Sequence, residues 1–424
     1  LFLLNVCTQV LLFEAGPKSL RKVKISGGGR CNVMHDVRKP VREIVDGYPR
    51  GHRQLLGPMT SKFGPKETFD WFKKRGVELK IEEDGRMFPV TDSSQSVIDC
   101  LTATAKEFGV SVNEGTKVLG ISKNPINSFV LEVETRKSDS KFSVDANYIL
   151  LATGSSREGY KWAKKLGHKI IPPLPSLFTL TIPCKLLADL AGITLKDVEL
   201  TLMQGMNNTE THLIPNSNKK SKRVNISQRG SILITHSGLS GPAALKLSAF
   251  GAREMGDAGY RSMLRLNWVP SVASNGIELE SILKKIRQDL SKKEVSTFCP
   301  LPSADLPKRL WRNIISASDI GEKERWGACS NEKIKKLANI LTSSTVEMTG
   351  KGTFKEEFVT CGGVMLDDIN MKTMESKIVP NLHFAGEVID VDGITGGYNF
   401  QNAWTTGWCA GDAIAKKCNE QPLI

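Results

Sequence analysis

The sequence predicts an α/β domain interrupted by an insertion, and three features carry that expectation. Val10-Leu11-Leu12-Phe13 is a continuous apolar run closed by Glu14, the pattern of a buried parallel strand. Near the other end, Leu382–Glu387 reads as a strand, Gly393–Asn399 as a glycine-rich turn and Phe400–Ala415 as a helix. Between them the composition changes at Pro172-Pro173-Leu174-Pro175. Strand-like segments fill about 177–270, helical spacing fills about 276–346, and short apolar runs with glycine turns return from Phe354. The expected layout is a first domain part over 1–177, a β subdomain over 178–275, a helical subdomain over 276–346, and the rest of the first domain over 347–424.

The elements follow in order. Thr68–Lys74, with Trp71 and Phe72, predicts a short helix ending near Gly76. Ser94–Phe108 places Val97, Ile98, Leu101 and Ala105 at helical spacing and stops at Gly109, a residue suited to a C-terminal cap. Lys117–Ile121, Ser128–Glu134 and Ser143–Leu151 alternate as a β-meander, and Tyr148–Gly154 reads as a buried strand entering a tight turn. Ile277–Leu290, Leu306–Ala317 and Lys333–Leu341 are the expected helices of the insertion.

Composition narrows the function classes. Nine dispersed cysteines form no C-x-x-C pair, which argues against a zinc ribbon, a dithiol motif or a disulfide scaffold, so no metal is expected. A reducing intracellular compartment, cytoplasmic or organellar, is the expected setting. No stretch is long enough to span a bilayer. The net charge of +13 suits an anionic ligand or surface. Its densest run, Lys219-Lys220-Ser221-Lys222-Arg223, has no interleaved aromatics and reads as a solvated hairpin tip, so neither nucleic acid nor membrane is expected as partner. The expected partner is a small-molecule substrate.

Three segments carry chemistry. The turn Gly393–Asn399 before a helix offers backbone N–H groups and a dipole to an anion, and Glu387 at the strand end can accept from a sugar hydroxyl; an ordinary βα connection explains the same residues. Glu14 stands where a Rossmann unit places the acid that binds ribose hydroxyls, and equally where a surface acid would sit. Ser26-Gly27-Gly28-Gly29-Arg30-Cys31-Asn32 is no Walker loop, and a flexible linker would account for it too. Its glycines make sense where backbone crowds a ligand, with Arg30 available to a phosphate or carboxylate.

Residues 16–32, Glu83–Val90, Thr235–Pro242, Thr360–Val364 and the stretch from Lys372–Lys377 into Phe384–Asn399 together resemble the HI0933-like (BaiN-type) flavoproteins, in family order across nearly the whole chain. The resemblance implies a Rossmann-like, two-dinucleotide-binding-like FAD domain and a flavin oxidoreductase; some members look like enone reductases acting on hydrophobic rings. It implies that Glu14 faces the adenosine ribose. Ser26, Gly27, Gly28, Gly29, Arg30, Cys31 and Asn32 would lie against FAD, as would Gly154, Gly386, Glu387, Gly396, Gly397, Tyr398 and Asn399. His236, Tyr398 and Arg30 are the catalytic candidates, although His236 also suits a structural role and Tyr398 simple packing. NAD(P)H is a candidate hydride donor without a second G-x-G-x-x-G to bind it. The insertion is expected to shape the substrate side. A β-branched residue at Gly397 is expected to cost flavin affinity more than apo stability.

The resemblance has departures. Cys361 stands where alanine is usual, and the loop Gly154–Tyr160 is short. A family G-x-G-x-x-G would precede Glu14 by about 20 residues, and residues 1–13 hold no glycine. The chain as given is therefore expected to hold FAD weakly, and a truncated, non-catalytic isoform is the alternative reading.

Overall fold

The computed structural model describes residues 9–124, 128–136, 140–203, 226–301, 304–352 and 359–420, so the basic run Lys219–Arg223 lies outside the described residues. Two units emerge, one from 1–174 with 360–424 and the other from 175–359.

In the first unit, Leu11–Glu14 pairs in parallel with Ser111–Glu114, Glu14 opposite Glu114. The strand is less buried than its apolar run suggests, since Leu12 is 44% exposed. A second parallel pair joins Ile149–Leu151 to Leu382–Phe384, and the short antiparallel strands Glu375–Ser376 and Ile369–Asn370 extend that sheet. The meander is Thr116–Lys123, Phe129–Thr135 and Ser140–Ala146. The expected single strand Ser143–Leu151 is in fact two: the meander's last strand ends at Ala146, and Ile149–Leu151 starts afresh in the other sheet.

Helices form close to their expected places. Pro65–Lys73 starts with proline at its first turn, where a missing N–H costs nothing, and Glu67 accepts from Gly64 N–H at 2.9 Å. Ser94–Glu107 is capped by Ser93, whose hydroxyl accepts from Gln95 N–H. Val41–Val45 and His52–Ser61 gave no periodic signal. The long helix Tyr398–Glu420 is fastened to residues 33–68 by polar bonds inside an apolar contact. Trp404 Nε1 donates to Val33 O at 3.0 Å, Gln401 Nε2 to Thr68 Oγ1 at 2.9 Å, and Thr405 Oγ1 to Phe63 O at 2.7 Å. Around them Cys31, Val33, Met34, Phe72, Met87 and Val97 form a core. Fully burying a side chain such as Phe72 contributes about 1.5–3 kcal/mol.

The second unit is an antiparallel sheet in the order Ser344–Met348, Ser262–Asn267, Thr194–Met203, Ile226–Thr235, Gly238–Ser240, Leu180–Thr181, Gly350–Lys351. The helices Gly276–Asp289, Lys308–Ala317 and Asn331–Ser343 share one hydrophobic core with these strands, built around Trp268, Trp311 and Trp326. The division at 275 into a β and a helical subdomain therefore gives way to a single core. The return to the first unit falls at 359 rather than 346, because Ser344–Met348 pairs with Ser262–Asn267 and belongs to the sheet.

Candidate functional site

The first glycine loop is a tight turn after the helix Arg21–Ile25. Gly27, Gly28 and Gly29 all have positive φ (56°, 69° and 85°), which is why three glycines stand in a row. Gly27 is also sterically required, since a Cβ there would lie 2.9 Å from the Phe88 ring. A Cβ on Gly28 would meet nothing within 4 Å, so its backbone faces open space. Ser26 Oγ donates to Val23 O at 2.8 Å, and Cys31 N–H to Ser26 O at 3.0 Å.

Two expectations for this loop change. Arg30 is engaged: Nη1 donates to Glu82 Oε1 at 2.6 Å, and the guanidinium lies 3.9 Å over the Phe88 ring. The Cys31 side chain is fully buried in the core, where desolvation pushes its thiol up to about 11, so it offers a ligand no side-chain contact. Asn32, with its amide oriented to satisfy both ends, accepts from Gly397 N–H at 3.1 Å and donates to Met34 O at 3.1 Å, tying the first glycine loop to the second.

The C-terminal turn is satisfied from within. Asn399 accepts from Gly393 N–H at 2.9 Å and donates to Gly393 O at 3.0 Å. Tyr398 stacks on His35 with ring centroids 4.8 Å apart and meets Tyr48 edge-on at 5.5 Å, and Tyr48 OH donates to Tyr398 O at 2.6 Å. Burial raises the Tyr398 hydroxyl to about 12. The packing role thus accounts for Tyr398. His35 Nδ1 lies 3.2 Å from Gly396 O. Arg50 and Asp392 form a buried two-pronged pair that pins the turn to the segment before the helix His52–Ser61. Gly397, at φ 90°, abuts the Met34 backbone: a Cβ would sit 2.3 Å from Met34 C and 2.5 Å from its O. The expectation that a bulky residue here would chiefly cost flavin affinity is replaced by a structural requirement.

The remaining candidates stand at the carboxyl ends of two parallel strand pairs, the ends at which α/β sheets bind cofactors. Glu14 Oε1 accepts from Gly16 N–H at 2.6 Å. Neighbouring Glu114 Oε1 accepts from Ser19 N–H at 2.7 Å and from Ser19 Oγ at 2.8 Å, and these bonds hold its carboxyl below the usual range. Glu387 Oε1 accepts from Thr360 N–H at 3.0 Å, and Lys22 Nζ donates to Glu387 Oε2 at 2.7 Å. Gly154, at φ 58°, lies against both: its Cβ would be 3.6 Å from Glu387 Oε2 and 3.6 Å from Lys22 Nζ. Nearby, Thr153 Oγ1 and the Tyr160 hydroxyl are buried with no hydrogen-bond partner among the described residues. Gly386, at φ 74°, donates its N–H to Thr406 Oγ1 at 2.9 Å.

The geometry thus brings Glu14, Gly154, Gly386 and Glu387 to the strand ends or the turns that follow them, with Lys22 and Glu114 as partners that sequence reasoning missed. Lys22 is one basic residue among several in the stretch Lys18–Lys24, and only the fold singles it out. His236 belongs to the second unit, exposed on the turn between Ile226–Thr235 and Gly238–Ser240. The glycines of its motif serve the sheet: a Cβ on Gly238 would lie 2.2 Å from Leu180 O.

This set fits a dinucleotide such as FAD. Acids stand at adjacent strand ends, as ribose hydroxyls require; at the other parallel pair an ammonium lies beside Glu387 and Gly154, and two buried hydroxyls there lack partners among the described residues. A model of the HI0933-like protein Rossmann domain matches residues 4–413. The chain belongs to this family. At that level it is a Rossmann-type flavoprotein and an FAD-dependent oxidoreductase.

The chain is 28% identical to the ribosomal RNA dihydrouridine synthase of Escherichia coli, covering 96% of this chain and 93% of that one. It is 24% identical, with the same shares covered, to the 3-dehydro-bile acid delta(4,6)-reductase of Clostridium scindens. Among solved structures it is similar to the 3-ketosteroid delta1-dehydrogenase of Sterolibacterium denitrificans, at 10% identity, 96% and 95% coverage and a TM-score of 0.44.

Glu14→Ala is expected to weaken FAD more than FMN, because only FAD carries the adenosine half. A lost hydrogen bond to a charged acceptor costs about 1.5–3 kcal/mol, roughly 10- to 100-fold in Kd. Parallel titrations with the two flavins check this, and equal losses would contradict the assignment.

Proposed function

We propose that this chain reduces a carbon–carbon double bond conjugated to a carbonyl in a ring substrate that is small and largely hydrophobic. The observation that carries the reading is the group of Lys22, Gly154 and Glu387 at one parallel strand end, with Glu14 at the end of another parallel strand, an arrangement that suits a dinucleotide cofactor. FAD, when bound, supplies hydride transfer. In this reading Glu14 holds the ribose hydroxyls, Glu387 accepts from a hydroxyl further along the cofactor, and Gly28, Gly29 and Gly154 let backbone approach it. The names of the two relatives support the chemistry. Dihydrouridine is uridine with its ring double bond reduced beside a carbonyl, and the delta(4,6) double bonds of a 3-dehydro-bile acid are likewise ring double bonds conjugated with a carbonyl.

A second reading places the ring in RNA. The 28% identical relative and the net charge of +13 favour it, since basic surfaces attract polyanions. One experiment separates the two. The flavoprotein, reduced anaerobically with dithionite, is mixed with a cyclic 3-keto-4-ene steroid or with an unmodified ribosomal RNA transcript, and flavin reoxidation is followed by absorbance. Fast reoxidation by the steroid alone supports the first reading, and by the transcript alone the second. No acceleration by either overturns the proposal. Reduction by NADH or NADPH in place of dithionite identifies the donor.

A further inference from the structure

We propose that Lys22 is the phosphate-binding cation of the cofactor site, held by Glu387 until the phosphates of the ligand take its place. The inference rests on the FAD reading above.

The pair is asymmetric. The Lys22 side chain is 72% exposed and that of Glu387 20%. Glu387 is fixed by its second bond, from Thr360 N–H, whereas Lys22 is a point charge on a flexible stem, a residue type that serves widely in phosphate sites. An ion pair this exposed contributes little and is easily exchanged for a doubly charged partner.

The surroundings suit the exchange. Gly154, at φ 58°, takes a conformation that other residues adopt only with strain, and among the described residues, its chain neighbours aside, the atoms within 4 Å of its hypothetical Cβ are Lys22 Nζ and Glu387 Oε2. The helix Arg157–Lys165 starts three residues later with Ser156 at its cap position, and no side chain caps its backbone N–H groups. Tyr160, on that helix, is 6% exposed, and its hydroxyl has no hydrogen-bond partner among the described residues. Glu387 and Asp390 lie near enough to it to add their charge to burial in raising that hydroxyl. An anion arriving beside Gly154 would meet the Lys22 ammonium, with the cap position of this helix two residues further along the chain. Once Lys22 turns to it, Glu387 Oε2 becomes free to accept from a hydroxyl of the same ligand.

The test is a titration of the full chain with riboflavin, FMN and FAD, which carry none, one and two phosphates, for the wild type, Lys22→Met and Lys22→Arg. Lys22→Met is expected to weaken FAD about 10- to 100-fold and to flatten the salt dependence of FAD binding. Riboflavin affinity and the apo melting temperature should stay unchanged, and Lys22→Arg should retain most of the FAD affinity. If Lys22→Met lowers the apo melting temperature and leaves FAD affinity alone, or weakens all three flavins equally, the pair is structural and the proposal is overturned. A wild-type chain that binds no flavin overturns the FAD reading and this inference together.

Discussion

Replacing Arg50 with methionine is expected to destabilise the first unit by about 3–5 kcal/mol, because a buried carboxylate loses the guanidinium that pairs with it on two prongs. Asp392 is completely buried, Arg50 is only 11% exposed at its side chain, and both guanidinium prongs meet the carboxylate. Breaking such a pair from one side is costly, whereas replacing both partners by apolar groups is often nearly neutral. The double variant Arg50→Met/Asp392→Leu should therefore recover much of the loss. Urea unfolding followed by tryptophan fluorescence measures both. A double variant as unstable as the single one would mean that the pair's geometry, rather than its charge balance, holds the turn.

Gly397→Val should be as damaging, for a steric reason. The position has φ 90° and its Cβ would fall within 2.6 Å of Met34 Cα, C and O, atoms of backbone that cannot rotate away. Left-handed strain and overpacking each cost about 1–3 kcal/mol, so the sum is roughly 2–6 kcal/mol. Gly28 is the contrast. A Cβ there meets nothing, and only the conformational strain at φ 69° remains. Gly28→Ala should keep most of the apo stability and lower flavin affinity. Apo thermal unfolding with FAD titration separates the two glycines, and a stable apo Gly397→Val would show that the Met34 contact yields more than its geometry suggests.

These two residues show what was legible in the sequence. The C-terminal strand, turn and helix could be read because apolar periodicity and glycine placement are local signals, as could Glu14 at its strand end. Glycines could be located but not sorted. Gly397 faces Met34, a residue remote in sequence, and Gly28 faces open space, and no pattern around either distinguishes them. Arg50, Asp392, His35 and Lys22 acquire their roles from partners hundreds of residues away, so no spacing reveals them. The helix Pro242–Phe250 went unread because it is apolar nearly all round and lacks an amphipathic period. Arg30 looked free beside the glycines and is instead claimed by Glu82, a partner 52 residues on.

That the strand ends carrying Glu14 and Glu387, with Gly154, form an FAD site is open to direct measurement. Titrating the purified full chain with FAD, FMN and riboflavin while following flavin fluorescence tests it most directly. FAD should bind more tightly than FMN, and FMN more tightly than riboflavin, with Glu14→Ala erasing most of the FAD preference over FMN. Equal affinities for the three flavins, or no binding of any, would contradict it.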